Sequence, residues 1–223
     1  MRENCILIIA GPSAIGKTTV AYKMLERDAR YEFVRSVTTR PKRGDKYDAE
    51  YIYISAEEFC ELVRDGGVLE HTEYAGNFYG TPRSEVKRIL AENKIPLLVL
   101  DINGVESLVA NAAGDFSACG VYVYDYLNVT EQRLYDRFLG DSPTPEGLAK
   151  FMSRKDKNIS DFLSLPDHAG AFFDFIHNNG TVDEATDAVI SAFESFKDGA
   201  DRDGERITAI ANELSDSAKE KIQ

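Results

Sequence analysis

The sequence predicts an α/β protein built on a doubly wound parallel sheet, and two observations lead to this fold class. The first is a set of short, continuously apolar segments, which are typical of strands buried on both faces of a parallel sheet. They are Cys5–Ala10, 95–102, 120–124 and 172–176. The second is that helical patterns fall between these segments, because strands that alternate with helices form such sheets.

The elements follow one another along the chain in the order that this fold requires. After the first strand, apolar residues recur four positions apart over Lys17–Arg27, which indicates a helix. Between residues 32 and 82, alternating β-formers at 51–55 and glycine-containing turns indicate an inserted subdomain with its own small sheet. A second helix, predicted over 84–92, then leads back to the second buried strand.

The second half of the chain holds a predicted flap and a terminal helix. Residues 134–160 combine Gly and Pro with many basic side chains, a composition that fits a mobile helical flap. Residues 198–205 indicate a linker, after which Ile207, Ala211 and Leu214 form an apolar stripe that we expect to pack on the protein's own core. The predicted divisions are a core of residues 1–33, 91–133 and 160–197, an inserted subdomain of 34–90, a flap of 134–159, and a linker with a C-terminal helix of 198–223.

The charge balance limits the partners of this chain. Its 223 residues carry 26 basic and 38 acidic side chains, for a formal charge of −12. We therefore expect no binding to nucleic acid or to an anionic membrane, because both attract a surplus of cations. The three cysteines and three histidines are scattered, which disfavours a zinc or histidine metal site. No leader pattern is visible, so we expect a cytoplasmic protein, and the sequence gives no indication of the oligomeric state.

The most specific motif is the segment Gly11-Pro-Ser-Ala-Ile-Gly-Lys-Thr18, which fits the pattern G-x-x-x-x-G-K-[ST] without a mismatch. It lies between an apolar strand and a helix, where backbone N–H groups and the helix dipole can hold phosphate oxygens. In such loops the lysine, here Lys17, reaches the β- and γ-phosphates, and the hydroxyl of Thr18 ligates Mg²⁺. The motif indicates ATP or GTP without deciding between them, and the residues predicted to bind ATP in the first case are Gly11, Pro12, Ser13, Ala14, Ile15, Gly16, Lys17, Thr18 and Thr19.

A second metal-binding group is expected at the end of another buried strand. Asp101 follows four apolar residues, and ligands of open α/β sheets gather at the carboxyl ends of the strands. The alternative is an aspartate that caps the following turn. Beside an intact phosphate loop the metal role is favoured, so the predicted cofactor is Mg²⁺, with ATP as co-substrate and metal ligands Thr18 and Asp101.

A local concentration of positive charge marks the predicted insertion. Residues 35–46 contain five basic residues and one acid, Asp45, although the chain as a whole is acidic. A charge run of this kind is usually a solvated face. However, Arg40 and Arg43 also carry the side chain best suited to bidentate phosphate capture. Composition alone leaves both interpretations open.

With these motifs the sequence resembles the guanylate kinases, P-loop enzymes that transfer phosphate from ATP to GMP. The resemblance covers residues 5–196 and is carried by five segments, at 7–19, 36–44, 51–55, 70–81 and 100–102. Several motifs in order and at compatible spacing are more specific than the phosphate loop alone. The resemblance implies a P-loop kinase core, in which the inserted subdomain, of mixed α/β structure, binds GMP and the flap is a helical lid.

The resemblance also implies roles for individual residues, and guanine chemistry agrees with them. Guanine presents two donors, N1–H and the 2-amino group, beside the acceptor O6, so that a carboxylate can accept from both donors and a hydroxyl can donate to O6. The implied sites are the GMP-phosphate ligands Arg40, Arg43, Tyr51 and Tyr79, the guanine-reading residues Ser36, Glu70 and Thr81, and the catalytic cations Lys17, Arg40, Arg137 and Arg154.

The chain departs from the family pattern at three of the positions considered. Asp141 stands where another lid arginine is usual, Asn103 where a second acid is usual, and Ala14 where glycine is common. Three functions stay open: a guanylate kinase, a related kinase with a shifted acceptor such as dGMP or a modified nucleotide, and a non-catalytic guanylate-kinase-like binding module. The intact Gly16 and Lys17 favour the first two, because such modules typically lose the phosphate loop.

Overall fold

A computed structural model describes residues 1–44, 46–74, 76–140 and 142–221, and of residues 46 and 47 it describes the backbone. Asp45 and Asp141, which the sequence analysis considered, lie outside the described residues. The strands are β1 (Cys5–Ala10), β2 (Tyr31–Phe33), β3 (Ser36–Thr38), β4 (Tyr51–Tyr53), β5 (Val68–Tyr74), β6 (Asn77–Pro82), β7 (Ile95–Val99), β8 (Ser117–Tyr124) and β9 (Asp174–His177). The helices are α1 (Lys17–Arg27), α2 (Ala56–Arg64), α3 (Arg83–Ala91), α4 (Ile102–Ala112), α5 (Leu127–Phe138), α6 (Pro145–His168), α7 (Val182–Asp198) and α8 (Gly204–Glu220).

The centre of the fold is a parallel sheet that is covered on both faces. Its strands lie in the order β2-β7-β1-β8-β9, and each of the pairings between them is parallel. In β1, Ile6 and Ile8 belong to one apolar core, whereas Leu7 and Ile9 belong to the other. Side chains alternate across a strand, so a strand buried on both faces must be apolar throughout. The predicted α/β fold with a parallel sheet is confirmed.

Helices enclose both of these cores. On one face α1 and α7 contribute Met24 and Phe193, which are fully buried. On the other face α4, α6 and α8 contribute Leu108, Phe162 and Leu214, which are also fully buried. The helices are therefore held by their apolar stripes, with their polar sides toward solvent.

A second, smaller sheet is formed by the chain between β2 and α3. Its strand order is β4-β3-β6-β5, with β3 and β4 parallel and the other two pairings antiparallel. Phe59 of α2 covers this sheet and stacks on Phe78, with the ring centroids 5.3 Å apart. The small sheet expected between residues 32 and 82 is thus present, while the proposed subdomain boundaries stay predictions.

Several predicted element boundaries were wrong, and local capping explains them. The second strand, predicted over 95–102, ends at Val99, because the Asp101 side chain accepts the N–H of Gly104 at 2.9 Å and starts α4 at Ile102. The linker is shorter than 198–205, since α7 includes Asp198 and the side chain of Asp203 caps α8. The three-residue strand β2 was missed because it is too short to show a pattern.

The predicted flap and terminal helix are both helical in the structure. The flap, predicted over 134–159, begins inside α5 and ends inside α6, so both of its limits fall within continuous helices. In α8 the predicted stripe of Ile207, Ala211 and Leu214 is fully buried in the protein's own core, as expected. Among the helices that the structure describes, none has the length and apolar character needed to span a membrane.

Candidate active site

The phosphate loop joins β1 to α1 through a turn that depends on glycine. Gly11 has φ +147°, and a Cβ at this position would lie 2.0 Å from the carbonyl oxygen of Val123. Gly16, with φ +99°, immediately precedes the first residue of α1. Ala14 has φ +66°, in the left-handed region that costs a residue with a side chain about 1–2 kcal/mol. This turn leaves the loop at the N-terminus of α1, where backbone N–H groups attract an anion.

Lys17, the first residue of α1, folds back over the loop. Its Nζ donates to the carbonyl oxygens of Gly11 and Pro12, each at 2.8 Å. Burial lowers the pKa of Lys17 to about 8, and the nearby Asp161 carboxylate opposes this shift. The ammonium group is therefore held close to the loop, from where rotation about its side-chain bonds would direct it to phosphate oxygens.

Side chains from distant elements hold the phosphate loop in place. Asn158 of α6 pairs with Ser13: its Oδ1 accepts the backbone N–H at 2.7 Å, and its Nδ2 donates to the carbonyl at 3.3 Å. Asn178, after β9, donates to the carbonyl of Ile15 at 2.7 Å, and Arg133 of α5 reaches the same oxygen at 3.4 Å. Sequence reasoning missed these residues, because they belong to no motif and lie far from the loop along the chain.

A cavity of about 410 Å³, here called the phosphate cavity, opens beside the loop. Lys17 and Thr18 line it from the start of α1, and Arg133, Arg137 and Arg154 line it from α5 and α6. The fold therefore brings the predicted residues Lys17, Arg137 and Arg154 together and adds Arg133, which was not predicted. This concentration of cations suits a polyphosphate.

A larger cavity of about 780 Å³, here called the acceptor cleft, lies beside the second sheet. Arg40, Arg43, Tyr51 and Tyr79 all line it. The rings of the two tyrosines are 6.0 Å apart, and the guanidinium of Arg40 lies 5.1 Å from the ring centroid of Tyr51. The four residues that were predicted to hold the GMP phosphate thus line one cavity, with Arg40 in cation–π contact with its neighbour.

Asp48, which sequence reasoning missed, organises the basic segment around the acceptor cleft. Its carboxylate accepts the backbone N–H groups of Arg43 and Gly44, the latter at 2.7 Å, as well as the hydroxyl of Tyr53. It also lies 3.4 Å from a guanidinium nitrogen of Arg40. The hydrogen bond from Tyr53, aided by the backbone N–H groups, lowers the pKa of Asp48 to about 2. An ionised carboxylate therefore fixes the backbone at Arg43 and Gly44 beside the guanidinium of Arg40.

The three predicted guanine-reading residues form a row across the second sheet. Thr81 in β6 donates its hydroxyl to Oε1 of Glu70 in β5 at 2.6 Å, and both residues are buried. The antiparallel pairing of Val37 with Gly80 places Ser36 of β3 opposite Thr81, and opposed residues share a face of the sheet. Burial raises the pKa of Glu70, and the hydrogen bond from Thr81 opposes this shift.

Asp101 caps the following helix and also lines the acceptor cleft, while its role as a metal ligand stays a prediction. Its Oδ1 caps α4, as the alternative interpretation expected, while its Oδ2 lies 3.8 Å from Nζ of Lys157 on α6. The same side chain lines the acceptor cleft together with Lys17 and Asp161. Asp161 accepts from Lys157 at 2.6 Å, and burial raises its pKa. Capping therefore does not remove this carboxylate from the site.

The oxygen donors beside the loop suit a Mg²⁺ ion that accompanies nucleotide phosphates. The Thr18 hydroxyl lines the phosphate cavity, and the carboxylates of Asp101 and Asp161 line the adjoining cleft. Mg²⁺ in such sites is bound through one or two protein oxygens, with waters and phosphate oxygens as its other ligands. Within the described ranges no three His, Cys, Asp or Glu side chains are grouped so that they could hold a metal ion by themselves. A metal here would thus depend on the nucleotide.

The two cavities share three residues that were predicted from the sequence. Ser13, Lys17 and Arg154 line the phosphate cavity and also the acceptor cleft. A phosphate donor in the first cavity and an acceptor in the second would therefore meet beside a lysine and an arginine. This arrangement fits phosphoryl transfer, in which positioned cations offset the charge on the transferred group.

Comparison with known proteins relates most of the chain to one family. A sequence model described as guanylate kinase matches residues 3–196. The guanylate kinase of Lactobacillus johnsonii is 31% identical over 198 residues, covering 86% of this chain and 89% of that protein. The guanylate kinase of Lactococcus lactis is 41% identical over 106 residues, 47% of this chain and 52% of that protein, so the chain spans about half the length of this relative.

The fold is similar to that of a solved guanylate kinase. The crystal structure of the protein from Anaplasma phagocytophilum superposes with a TM-score of 0.56 at 24% sequence identity, covering 89% of this chain and 88% of that chain. The C-terminal helix α8 lies beyond the residues that the family model matches.

Proposed function

The chain belongs to the guanylate kinase family of nucleoside monophosphate kinases, and we propose that it transfers the γ-phosphate of ATP to GMP, giving ADP and GDP. The observation that carries this proposal is the junction of the two cavities at Ser13, Lys17 and Arg154. ATP would place its phosphates in the phosphate cavity, and GMP would occupy the acceptor cleft.

The donor would be held mainly by the phosphate loop. Backbone N–H groups at the start of α1 would donate to the β-phosphate, and Lys17 would leave the carbonyls of Gly11 and Pro12 to contact the γ-phosphate. Arg137 and Arg154 would contact the phosphates from the lid side of the cavity. Mg²⁺, held through Thr18 and Asp101, would neutralise charge on the phosphate oxygens when it is bound.

The acceptor would be held at both of its ends. Arg40, Arg43, Tyr51 and Tyr79 would donate to the GMP phosphate, since all four line the acceptor cleft. At the other end, the carboxylate of Glu70, which lies beyond the residues that line the cleft, would in its ionised form accept from the two guanine donors, while hydroxyl groups serve O6. An adenine in this place would leave the buried carboxylate with the Thr81 hydroxyl but without the two guanine donors, which costs free energy.

Transfer would then proceed by positioning and charge stabilisation, with no covalent intermediate on the protein. An oxygen of the GMP phosphate attacks the γ-phosphorus in line, and the bond between this phosphorus and the β,γ-bridging oxygen breaks to release ADP. Lys17, Arg40 and Arg154 would offset the charge on the transferred group. Closure of the lid would exclude water, which competes with GMP as an acceptor.

The acceptor is tested with the wild-type protein and with Glu70→Gln. A coupled assay of ADP release should give a rate with GMP far above those with AMP, UMP and CMP, and a comparison of GMP with dGMP would define sugar preference. In Glu70→Gln we expect the ratio of GMP to AMP turnover to fall by more than about 100-fold, because the amide cannot accept from both guanine donors. An unchanged ratio would contradict the guanine assignment.

The donor site is tested with Lys17→Ala. We expect transfer to fall by at least about 1000-fold, since the ammonium group offsets charge that develops in the transition state. The fold should persist, because Lys17 contributes no apolar side chain to either core. Circular dichroism and thermal unfolding would verify this, and full activity in the folded variant would contradict the role of Lys17.

The remaining expectations on partners and location stay part of this proposal. We expect nucleotides, not nucleic acid or membranes, as partners, because the overall charge of −12 repels polyanions. We also expect the cytoplasm as the location, where ATP and GMP are available.

A further inference from the structure

Asn158 is a fully buried polar residue of α6 that pairs with the phosphate loop. It is 0% exposed. Its Oδ1 accepts the N–H of Ser13 at 2.7 Å, and its Nδ2 donates to the carbonyl oxygen of the same residue at 3.3 Å. The two residues are separated by 145 positions in the chain. This pairing therefore joins the lid-bearing helix directly to the loop.

The chemistry of the pair makes asparagine difficult to replace. A side-chain amide offers one acceptor and one donor, and the N–H and the C=O of Ser13 use both of them. Aspartate would supply the acceptor but would place a second oxygen against the carbonyl of Ser13. Leucine has a similar size but would remove the side-chain partner of both backbone groups of Ser13, which are partly buried, and this loss costs free energy.

The location of Asn158 on α6 connects it to the lid arginine. Arg154 lies four residues earlier, which places it one turn away on the same face of the helix. On the other side of Asn158, Phe162 and Leu165 are fully buried in the core, whereas Met152 and Arg154 are exposed. Asn158 is thus situated where α6 leaves the core and becomes lid.

Both ends of this connection lie at the junction of the two cavities. Ser13 and Arg154 are two of the three residues that line the phosphate cavity and the acceptor cleft alike. A rotation or shift of α6 would move Arg154 relative to the loop unless something fixed the helix there. The amide pair of Asn158 and Ser13 provides this fixed point.

We propose that Asn158 is a positioning residue that sets the location of Arg154 relative to phosphates bound at the loop. It does so by pinning α6 to Ser13 at the point where the helix leaves the core. The inference rests on the proposed function, because it assumes that Arg154 contacts the phosphates of the donor.

The first test compares Asn158→Leu with the control Ser160→Leu. Ser160 is exposed on the same helix, so the control introduces the same side chain without touching the loop. We expect kcat of Asn158→Leu to fall about 10- to 100-fold, as a misplacement near 1 Å costs up to this much. KM for GMP should stay within about twofold, because the residues predicted to hold GMP are not contacted. A kcat equal to that of the control would overturn the proposal.

The decisive test is a double-mutant cycle with Arg154→Ala. If Asn158 acts by positioning Arg154, then adding Asn158→Leu to Arg154→Ala should lower kcat by less than about threefold, since the group to be positioned is absent. A merely structural role predicts the same loss in both backgrounds. Independent, multiplicative losses would therefore overturn the proposal.

A second variant and a second readout keep the test independent of folding and of the acceptor. Asn158→Asp preserves size and one hydrogen bond, and it replaces Asn158→Leu throughout the cycle if thermal unfolding shows that the leucine variant does not fold. Calorimetry on the same set of variants measures the Kd of AMP-PNP, a non-hydrolysable ATP analogue, in the presence of Mg²⁺. If the proposed function is wrong, the wild-type protein will show no turnover of GMP. If substitution of Asn158 raises the Kd of AMP-PNP by the same factor with and without Arg154, the role of Asn158 is rejected.

Discussion

At the residue scale, the state of Lys17 explains how an acidic protein can hold a polyphosphate. The ammonium group donates to the carbonyls of Gly11 and Pro12, and its burial lowers its pKa to about 8. The side chain of Lys17 thus lies directly against the loop. Bound phosphates would offer the ammonium group stronger, charged acceptors, which favour the protonated form.

The lowered pKa of Lys17 predicts how binding of ATP depends on pH. As pH rises through about 8, the lysine loses its proton in the free protein, so kcat/KM for ATP should decline above this pH. In the complex the phosphates raise the pKa again, and kcat should therefore decline at a higher pH than kcat/KM. Steady-state profiles between pH 6 and 10 would measure both quantities.

The control for these pH profiles is a measurement that the protein stays folded. Circular dichroism should stay constant over the same pH range, so that any decline reflects the site. A kcat/KM for ATP that stays level well beyond the pKa of Lys17 would contradict the assignment.

At the element scale, α6 and α8 form one unit that connects the site to the core. The helix α6 continues without a break from the part that is predicted to be a lid into the core, and α8 covers its core-facing part. Ser215 of α8 donates to the carbonyl of Leu163, at 3.4 Å, and Leu214 is fully buried. The C-terminal helix therefore stabilises the part of α6 from which the lid extends.

Two leucines test this division between core and lid. Leu214→Ala should lower the free energy of unfolding by about 2–5 kcal/mol, because a fully buried leucine leaves a cavity. Leu148→Ala, on the lid half of α6, should cost less than about 0.5 kcal/mol, since this leucine is 50% exposed. Urea denaturation of both variants would measure the difference, and equal costs would show that the stabilising role of α8 is wrong.

At the scale of the whole molecule, the charge is unevenly distributed. The chain is acidic overall, with a charge of −12, yet Lys17, Arg133, Arg137 and Arg154 all line one cavity. Fields of like charge repel long polyanions, whereas a cavity with several cations attracts a small phosphorylated molecule. This distribution supports the proposal that the partners are nucleotides and not nucleic acids.

We expect the molecule to close around its substrates at the acceptor cleft, which residues of both α6 and β5 line. Arg154 and Lys157 of α6 line one side of the cleft, and Thr72 and Tyr74 of β5 line another. Phosphates that contact cations from both sides should draw the lid toward the second sheet. Small-angle X-ray scattering should show a smaller radius of gyration with AMP-PNP and GMP together than with AMP-PNP alone or with AMP-PNP and CMP. An identical radius under all three conditions would contradict closure.

The sequence by itself determined what is encoded locally. The loop motif, the strand β1 and the helix α1 were predicted with their observed limits, because glycine torsions, an apolar run and helical spacing act over a few neighbouring residues. Arg40 and Arg43 could also be singled out, but their predicted role came from the resemblance to a family, because a charge run alone leaves a solvated face open.

Only the tertiary structure decided which distant residues support the site. Asn158 and Ser13, Asn178 and Ile15, and the two cavities that meet at Arg154 depend on how α6 and β9 pack beside the loop. No pattern in the sequence links two residues that are 145 positions apart. A buried asparagine on a helix cannot be told from an exposed polar residue until its hydrogen-bond partner is known. Local sequence specifies local geometry, whereas packing of the layers specifies the positioning of the reacting groups.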